Sequence, residues 1–434
     1  IREKGMVADI FTQQKISTLS GDMGIAHTRY PTVGVNAVEE VQPFVLKHPS
    51  GIALAFNGNI VNYPILKTEL NEQKGISMNS NCDAEALLHI FADAYEKDGG
   101  AEAVLNAVEK VYDRVIGGYA VVVLLEGKGI LAFKDPNGIR PLLMGERKNG
   151  EITHAFSSES IALTIQGYEN IRDLKPGEAV FIDQEGKVHE KILRKDKHTP
   201  CVFEWVYFST VESTLGEKAV YSVRERLGQE LAKKVRKLWP DLDVDYIIPV
   251  PDTSRPAANS LANTLKIPYG EGLVKNRYVG RTFIMPTQKI REEALELKMK
   301  PIEPMIKGKK IMVVDDSIVR GTTSKRIVKL LKKSGAEKVY LLSTFPPIRN
   351  PCFYGIDFQN DEDLIAHEKK IKEIEVEIGA DKLIYMDIDA LKRAVGEENL
   401  CMACVTGEYP TDTKGSKTLA ALRKEHLANT RPTC

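Results

Sequence analysis

The run Ile311–Thr323, IMVVDDSIVRGTT, constrains this chain more than any other stretch. Its apolar residues Ile311–Val314 predict a short buried strand, and two adjacent carboxylates, Asp315 and Asp316, stand at that strand's C-terminal end. A small-residue loop, Arg320-Gly321-Thr322-Thr323, then opens a helix with apolar spacing at Ile327, Val328 and Leu331 that stops near Gly335. Val339–Ser343 reads as the next strand, so the unit is strand–loop–helix–strand with a parallel crossover. Backbone N–H groups at a helix start attract phosphate, and glycine lets the backbone come close. Thr322 and Thr323 add hydroxyl donors, and the paired Asp side chains suit ribose hydroxyls, or Mg²⁺ through water. Because ligands of α/β sheets sit at strand C-termini, the run reads as a binding loop for a phosphorylated ribose; the bland alternative is an ordinary turn with two surface acids.

The bulk numbers bound what surrounds this loop. A chain of 434 residues should hold about two or three domains. Lys+Arg and Asp+Glu balance at 60 each, which argues against a surface built for nucleic acid. No apolar run is long enough to span a bilayer, and six cysteines are too sparse for a secreted disulfide scaffold. A soluble cytoplasmic protein is the expectation.

Along the chain, Gly24–Ala26, Gly51–Phe56, Tyr119–Leu125, Gly129–Lys134 and Ala155–Ser158 predict strands of an antiparallel layer, with helices over Asp83–Glu96 and Ala101–Val111. The composition turns basic and polar around Lys191–Pro200, which places a domain boundary after residue 198. Beyond it the pattern is α/β: a helix over Val223–Leu238, a strand over Tyr246–Val250, a helix over Ala257–Leu265, then the phosphate-loop unit and late helices over Asp361–Glu377 and Asp389–Gly396.

Other motifs carry chemistry more weakly. Arg29, in HTRYPT, has a planar fork that can grip a carboxylate bidentately. Asn57 and Gly58, in NGN, can form an oxyanion hole. Asp83 either caps a helix or binds an α-ammonium. The loop Pro251-Asp252-Thr253-Ser254-Arg255 leaves a strand with hydroxyls and a cation, which suits pyrophosphate or a plain helix cap. Residues 275–288, KNRYVGRTFIMPTQ, are polar and basic. Cys401 and Cys404 form a CxxC, and with Cys201 and Cys352 could bind zinc or a [4Fe–4S] cluster; a redox pair is the other reading.

The string DDSIVRGTTS resembles the type I phosphoribosyltransferase signature, which binds 5-phosphoribosyl-1-pyrophosphate (PRPP), and more narrowly the glutamine PRPP amidotransferase family. HTRYPT, NGNI, DAE and DPNGIRPL resemble that family's glutaminase domain. The resemblance implies an α+β N-terminal-nucleophile hydrolase domain, 1–198, followed by an α/β type I phosphoribosyltransferase domain, 199–434. It implies that Arg29, Thr32 and Asp83 hold glutamine and that Asn57 and Gly58 stabilise the oxyanion. PRPP would be held by Thr253, Ser254, Asp315, Asp316, Ser317, Arg320, Gly321, Thr322 and Thr323, with Lys275, Arg281 and Gln288 from a closing flag loop. Mg²⁺ would sit on Ser254, Asp315 and Asp316, and a structural [4Fe–4S] cluster on Cys201, Cys352, Cys401 and Cys404. DPNGIRP reads as structural, a turn with a permissive glycine.

The implied reaction transfers ammonia from glutamine to C1 of PRPP, giving 5-phosphoribosylamine, glutamate and pyrophosphate, the first step of purine synthesis. The implied assembly is a homotetramer inhibited by purine nucleotides. The family's nucleophile is an N-terminal Cys; this sequence begins at Ile1, and no Cys precedes Cys82, which reads as a small packing residue. The expectation is a front end missing from the sequence, with no glutamine hydrolysis by residues 1–434 alone. The alternatives are a shortened, ammonia-dependent transferase, a simple base-salvage phosphoribosyltransferase, or a PRPP-binding regulator or scaffold.

Overall fold

Alternation of side chains along extended backbone decides the first half of the chain. The computed structural model describes residues 1–29, 38–47, 51–276, 299–358, 360–416, 418 and 421. Among them, strands β1 (Phe44–Leu46), β2 (Ile52–Ile60), β3 (Gly117–Leu125), β4 (Gly129–Lys134), β5 (Leu143–Asn149), β6 (Glu151–Ser157), β7 (Glu169–Asp173), β8 (Glu178–Asp183) and β9 (Val188–Ile192) make two antiparallel sheets. Their orders are β1-β2-β3-β4-β8-β9 and β6-β5-β7. One face of the larger sheet, with Leu54, Phe56, Tyr119, Val121 and Phe133, shares a core with helices α1 (Tyr63–Lys74), α2 (Asp83–Ala94) and α3 (Ala101–Arg114). The other face, through Ala120, Ala132, Val180 and Ile182, shares a smaller core with Leu142 and Met144. That is the period-2 pattern of a sheet covered on both sides.

The second half is α/β. A four-stranded parallel sheet runs β10 (Tyr246–Pro249), β11 (Lys310–Asp315), β12 (Lys338–Ser343), β13 (Lys382–Tyr385). Its residues Ile311–Val314 are fully buried, as parallel strands covered by helices must be. The helices are α4 (Val220–Leu238), α5 (Arg255–Leu265), α6 (Thr322–Lys333), α7 (Ile371–Ile378) and α8 (Ile388–Val395). In α6 the predicted stripe Ile327, Val328 and Leu331 joins the core with Ile311, Val313 and Leu341.

The chain divides into two compact units: Ile1–Cys201 with Cys352–Gln359 and Glu408–Cys434, and Val202–Pro351 with Asn360–Gly407. The first boundary falls near the compositional break, but two later segments return to the first unit with no compositional sign. Two expected elements differ. Gly24–Ala26 is not a strand, because Gly24 and Ala26 are both exposed and the run has no face to bury. The expected helix over 361–377 is a single turn at Asp361–Asp363, with α7 beginning only at Ile371; between them Leu364, Ile365 and Ala366 are buried and the Ile365 N–H donates to the Val319 carbonyl instead of to a helical partner.

Candidate functional site

In the second unit, Asp315 ends β11 and is buried, while Asp316 beside it is half-buried. Burial and the neighbouring Asp316 charge push the Asp315 carboxyl well above the usual carboxylate range. Burial raises Asp316 to about 6, against the pull of hydrogen bonds from Ser317 and Thr253 and the charge of Arg224. The Ser317 hydroxyl donates to Asp316 at 2.8 Å. Thr344 secures the pair from the next strand, its N–H donating to the Asp315 carbonyl and its hydroxyl to that of Asp316. Gly321 is the N-cap of α6, and a Cβ there would meet Ile365 Cδ1 at 2.2 Å. Thr322 and Thr323 open the helix and are exposed, so their N–H groups and hydroxyls face outward. Arg320 is exposed and lies 3.5 Å from Asp363.

Beside the strand end of β10, Ser254 is buried with its hydroxyl unpartnered among the described residues. Asp252, next to Thr253, pairs with Arg255 and, at 3.1 Å, with Lys275; Arg255 in turn reaches Glu271 at 3.1 Å. Lys275, expected on the sugar phosphate, is therefore held by a loop carboxylate. Arg281 and Gln288 lie outside the described residues, as does the rest of 277–298. A buried carboxylate, a half-buried one and an unpartnered hydroxyl suit a hard cation that keeps water in its shell. Arg224, invisible as a site residue in the sequence, is buried in α4 and donates to the carbonyls of Trp205, Tyr207 and Ser209.

In the first unit the open edge of β2 makes the site. Antiparallel pairing sends N–H groups alternately to the two neighbours. Residues 57 and 59 face β3 in register with Ala120 and Gly118, so residues 56, 58 and 60 face the other edge, beyond the end of β1. Phe56 is satisfied there by the Gln42 side chain, which accepts from its N–H at 2.7 Å and donates to its carbonyl at 3.2 Å. The Ile60 N–H donates to Asp83 Oδ2 at 2.8 Å. Gly58 lies between them with its N–H turned to the same edge. Its φ of 149° and the Gly118 oxygen, 2.1 Å from any added Cβ, exclude every side chain.

Asp83 is the first residue of α2, whose N-cap is Cys82 with no side-chain cap, so Asp83 does not cap the helix; its Oδ2 ties α2 to β2. Arg29 lies 2.7 Å from the buried Glu40, a partner the sequence did not suggest. Beside it, burial and the Arg29 charge lower His27 to about 4, so that imidazole is neutral at physiological pH. Thr32 lies outside the described residues. Burial and Asp83 push the Cys82 thiol far up, which suits a packing residue and not a thiolate nucleophile. Segment 352–358 packs on this edge: Asn59 Nδ2 donates to the Phe353 carbonyl at 2.8 Å, and a Cβ on Gly355 would lie 3.0 Å from the Gly58 carbonyl carbon.

Of the four thiols expected to share a cluster, Cys201, Cys352 and Cys401 are buried and Cys404 is half-buried. Cys352 Sγ accepts from the Tyr354 N–H at 3.3 Å. Each unit holds two of the four, so neither alone supplies a four-cysteine site. Among the described residues no group of three or more His, Cys, Asp or Glu side chains is placed to hold a metal ion.

Residues 27–165 match the glutamine amidotransferase domain family and residues 221–351 the phosphoribosyl transferase domain family. An amidophosphoribosyltransferase of Pseudomonas aeruginosa is 44% identical over 422 residues, covering 94% of this chain and 84% of that protein. The chain belongs to the amidophosphoribosyltransferase family. The Saccharomyces cerevisiae amidophosphoribosyltransferase is 46% identical over 397 residues, 89% of this chain and 78% of its own. The solved glutamine PRPP amidotransferase from B. subtilis, complexed with ADP and GMP, superposes with a TM-score of 0.82 at 36% identity, covering 94% of this chain and 88% of that one. A glutamine amidotransferase domain joined to a phosphoribosyltransferase domain is thus the fold of this amidophosphoribosyltransferase family member. Among the described residues no helix is long and apolar enough to cross a membrane.

Proposed function

We propose that this chain carries out the family reaction: ammonia derived from glutamine is transferred to C1 of PRPP, giving 5-phosphoribosylamine, glutamate and pyrophosphate in the first step of purine synthesis. The observation that carries the reading is the loop 315–323, two carboxylates at a parallel strand end leading into a glycine-capped helix start. Asp315 and Asp316 meet the ribose hydroxyls, and Gly321, Thr322, Thr323 and Ser317 hold the 5-phosphate beside Arg320. Thr253 and Ser254 face the pyrophosphate. Lys275 exchanges its Asp252 contact for phosphate, with Arg281 and Gln288 from the following segment. Mg²⁺ would be held by Asp315, Asp316 and Ser254 and would supply charge neutralisation for the leaving pyrophosphate.

In the first unit, Arg29 and Thr32 bind the glutamine carboxylate and the Asp83 carboxylate meets its ammonium. The Gly58 N–H and the Asn57 amide donate to the oxyanion formed when the side-chain amide is attacked. The iron–sulfur assignment to Cys201, Cys352, Cys401 and Cys404 rests on the likeness of their three segments to cluster-bearing relatives and on the burial of Cys201, Cys352 and Cys401. Iron and sulfide analysis of anaerobically purified protein decides it. Feedback inhibition by purine nucleotides, a homotetramer and a cytoplasmic location complete the proposal; the nucleotides in the B. subtilis structure support the first.

The reading is tested by phosphoribosylamine formation from PRPP with glutamine and, separately, with NH₄⁺, alongside intact mass to define the N-terminus. Activity with both nitrogen sources is expected of the natively expressed protein. Activity with NH₄⁺ alone would identify an ammonia-dependent transferase, and inactivity with both would leave a PRPP-binding regulator.

A further inference from the structure

The motif Asp135–Pro141 has a turn as its local meaning, and its side chains give it a second. Asp135 is fully buried and accepts N–H groups from Tyr119, Asn137, Ile139 and Arg140 at 3.0–3.2 Å. Gly138, at φ 63°, lets the backbone curl around that carboxylate. The curl fixes the backbone of Arg140, whose side chain is 6% exposed and runs to the oxyanion strand. There its NH2 group donates to Asn57 Oδ1 at 3.0 Å.

An amide side chain has two ends of similar shape and opposite hydrogen-bonding sense. A guanidinium has donors only, so the end of Asn57 that faces Arg140 must be its carbonyl. The NH₂ end is then directed away from Arg140, its described neighbour being the Ser158 hydroxyl at a long 3.5 Å. Flipping the amide would set NH₂ against a buried cation and turn a carbonyl toward any developing negative charge. Both changes cost energy where water is scarce.

We infer that Arg140 is a positioning residue that locks the Asn57 amide with its donor end toward the oxyanion. This rests on the reading of Asn57 as an oxyanion donor. Arg140 contacts no reacting atom; it acts through Asn57, and the Asp135 turn holds it in place.

The experiment is a double-mutant cycle on the natively expressed enzyme, comparing wild type, Asn57→Ala, Arg140→Met and the double variant. Glutamine hydrolysis is measured with ammonium-dependent transfer as internal reference. Asn57→Ala should lower glutaminase kcat by roughly 10²–10³-fold. Arg140→Met should lower it by at least about tenfold with glutamine KM within about twofold, and the double variant should be no slower than Asn57→Ala alone. Arg140→Lys, which keeps a donor and adds no acceptor, should recover most of the rate. Losses that multiply in the double variant, or a KM that rises in step with the fall in kcat, would overturn the inference. If Arg140→Met does not fold, an Arg140→Lys enzyme as slow as Asn57→Ala would overturn it equally. A glutaminase indifferent to Asn57→Ala would instead remove the oxyanion reading and this inference with it.

Discussion

In the second unit the candidate ligand loop is one continuous run, 315–323, leaving a parallel strand and entering a helix; in the first, the residues packed on the strand that carries Gly58 come from four separate places. Gln42, Asp83, Arg140 and segment 353–355 all converge on the edge of β2. The parallel sheet needs little help, because strand end and helix start already point N–H groups and carboxylates at one spot. The antiparallel strand must instead have N–H groups of its edge met by side chains from elsewhere in the chain. The first arrangement tolerates change outside the loop, and the second depends on contacts distant in sequence.

The sharpest way to break this contrast is Asp316→Ala. It should reduce both glutamine- and ammonium-dependent transfer by roughly 10²–10³-fold, as loss of a key electrostatic contact does, while leaving glutamine hydrolysis within a few-fold; pyrophosphate release and glutamate formation separate the two. Gly58→Ala should do the converse. Its Cβ meets the Gly118 carbonyl, so hydrolysis should fall by about 10²-fold or more with ammonium-dependent transfer retained. Equal loss of both activities would show that the edge of β2 is not a separate device.

Asp83→Asn should act more mildly on the same half, raising glutamine KM by roughly tenfold as a charged hydrogen bond becomes neutral. A change confined to kcat would place Asp83 outside the binding step. Acidity offers a graded test of the other half. Burial raises Asp316 to about 6, so the carboxylate proposed to meet the sugar hydroxyls and cation is lost as pH falls through 6. In the absence of ligand the sign is opposite, because the folded protein binds that proton more tightly than the unfolded chain, and protonation between about 6 and 3.8 favours folding. PRPP affinity by calorimetry should therefore weaken below pH 6, by up to about tenfold per unit. The smallest effect is expected from Gln42→Ala. Uncovering the Phe56 N–H and carbonyl should cost about 1–3 kcal/mol, read by chemical denaturation of the apo protein.

The same contrast explains what could be read in advance. The phosphate loop was legible because its chemistry is contiguous, and the expected strand, loop and α6 lie within about two residues of their observed bounds. Asn57, Gly58 and Asp83 were legible only by likeness. The contacts of Gln42 with Phe56, Glu40 with Arg29 and Arg140 with Asn57 were not, since nothing in local spacing links residue 42 to 56, 40 to 29 or 140 to 57. The one local sign of Arg140 is a cation two residues after the turn glycine, Gly138, next to the apolar Ile139. Treating the motif as structural captured Asp135 and missed what the turn presents.

Residue order alone determined the two kinds of layer, because side-chain alternation and helical spacing are local properties that each segment must bury on its own. It also determined the carboxylate pair and helix start, which chain connectivity places together. The tertiary structure alone decided which backbone N–H groups of β2 are met by side chains, which way the Asn57 amide turns, and that Cys352–Gln359 belongs with the first unit. Those outcomes depend on hydrogen bonds between groups far apart in the chain, and such bonds exist only once packing has brought their donors and acceptors within reach.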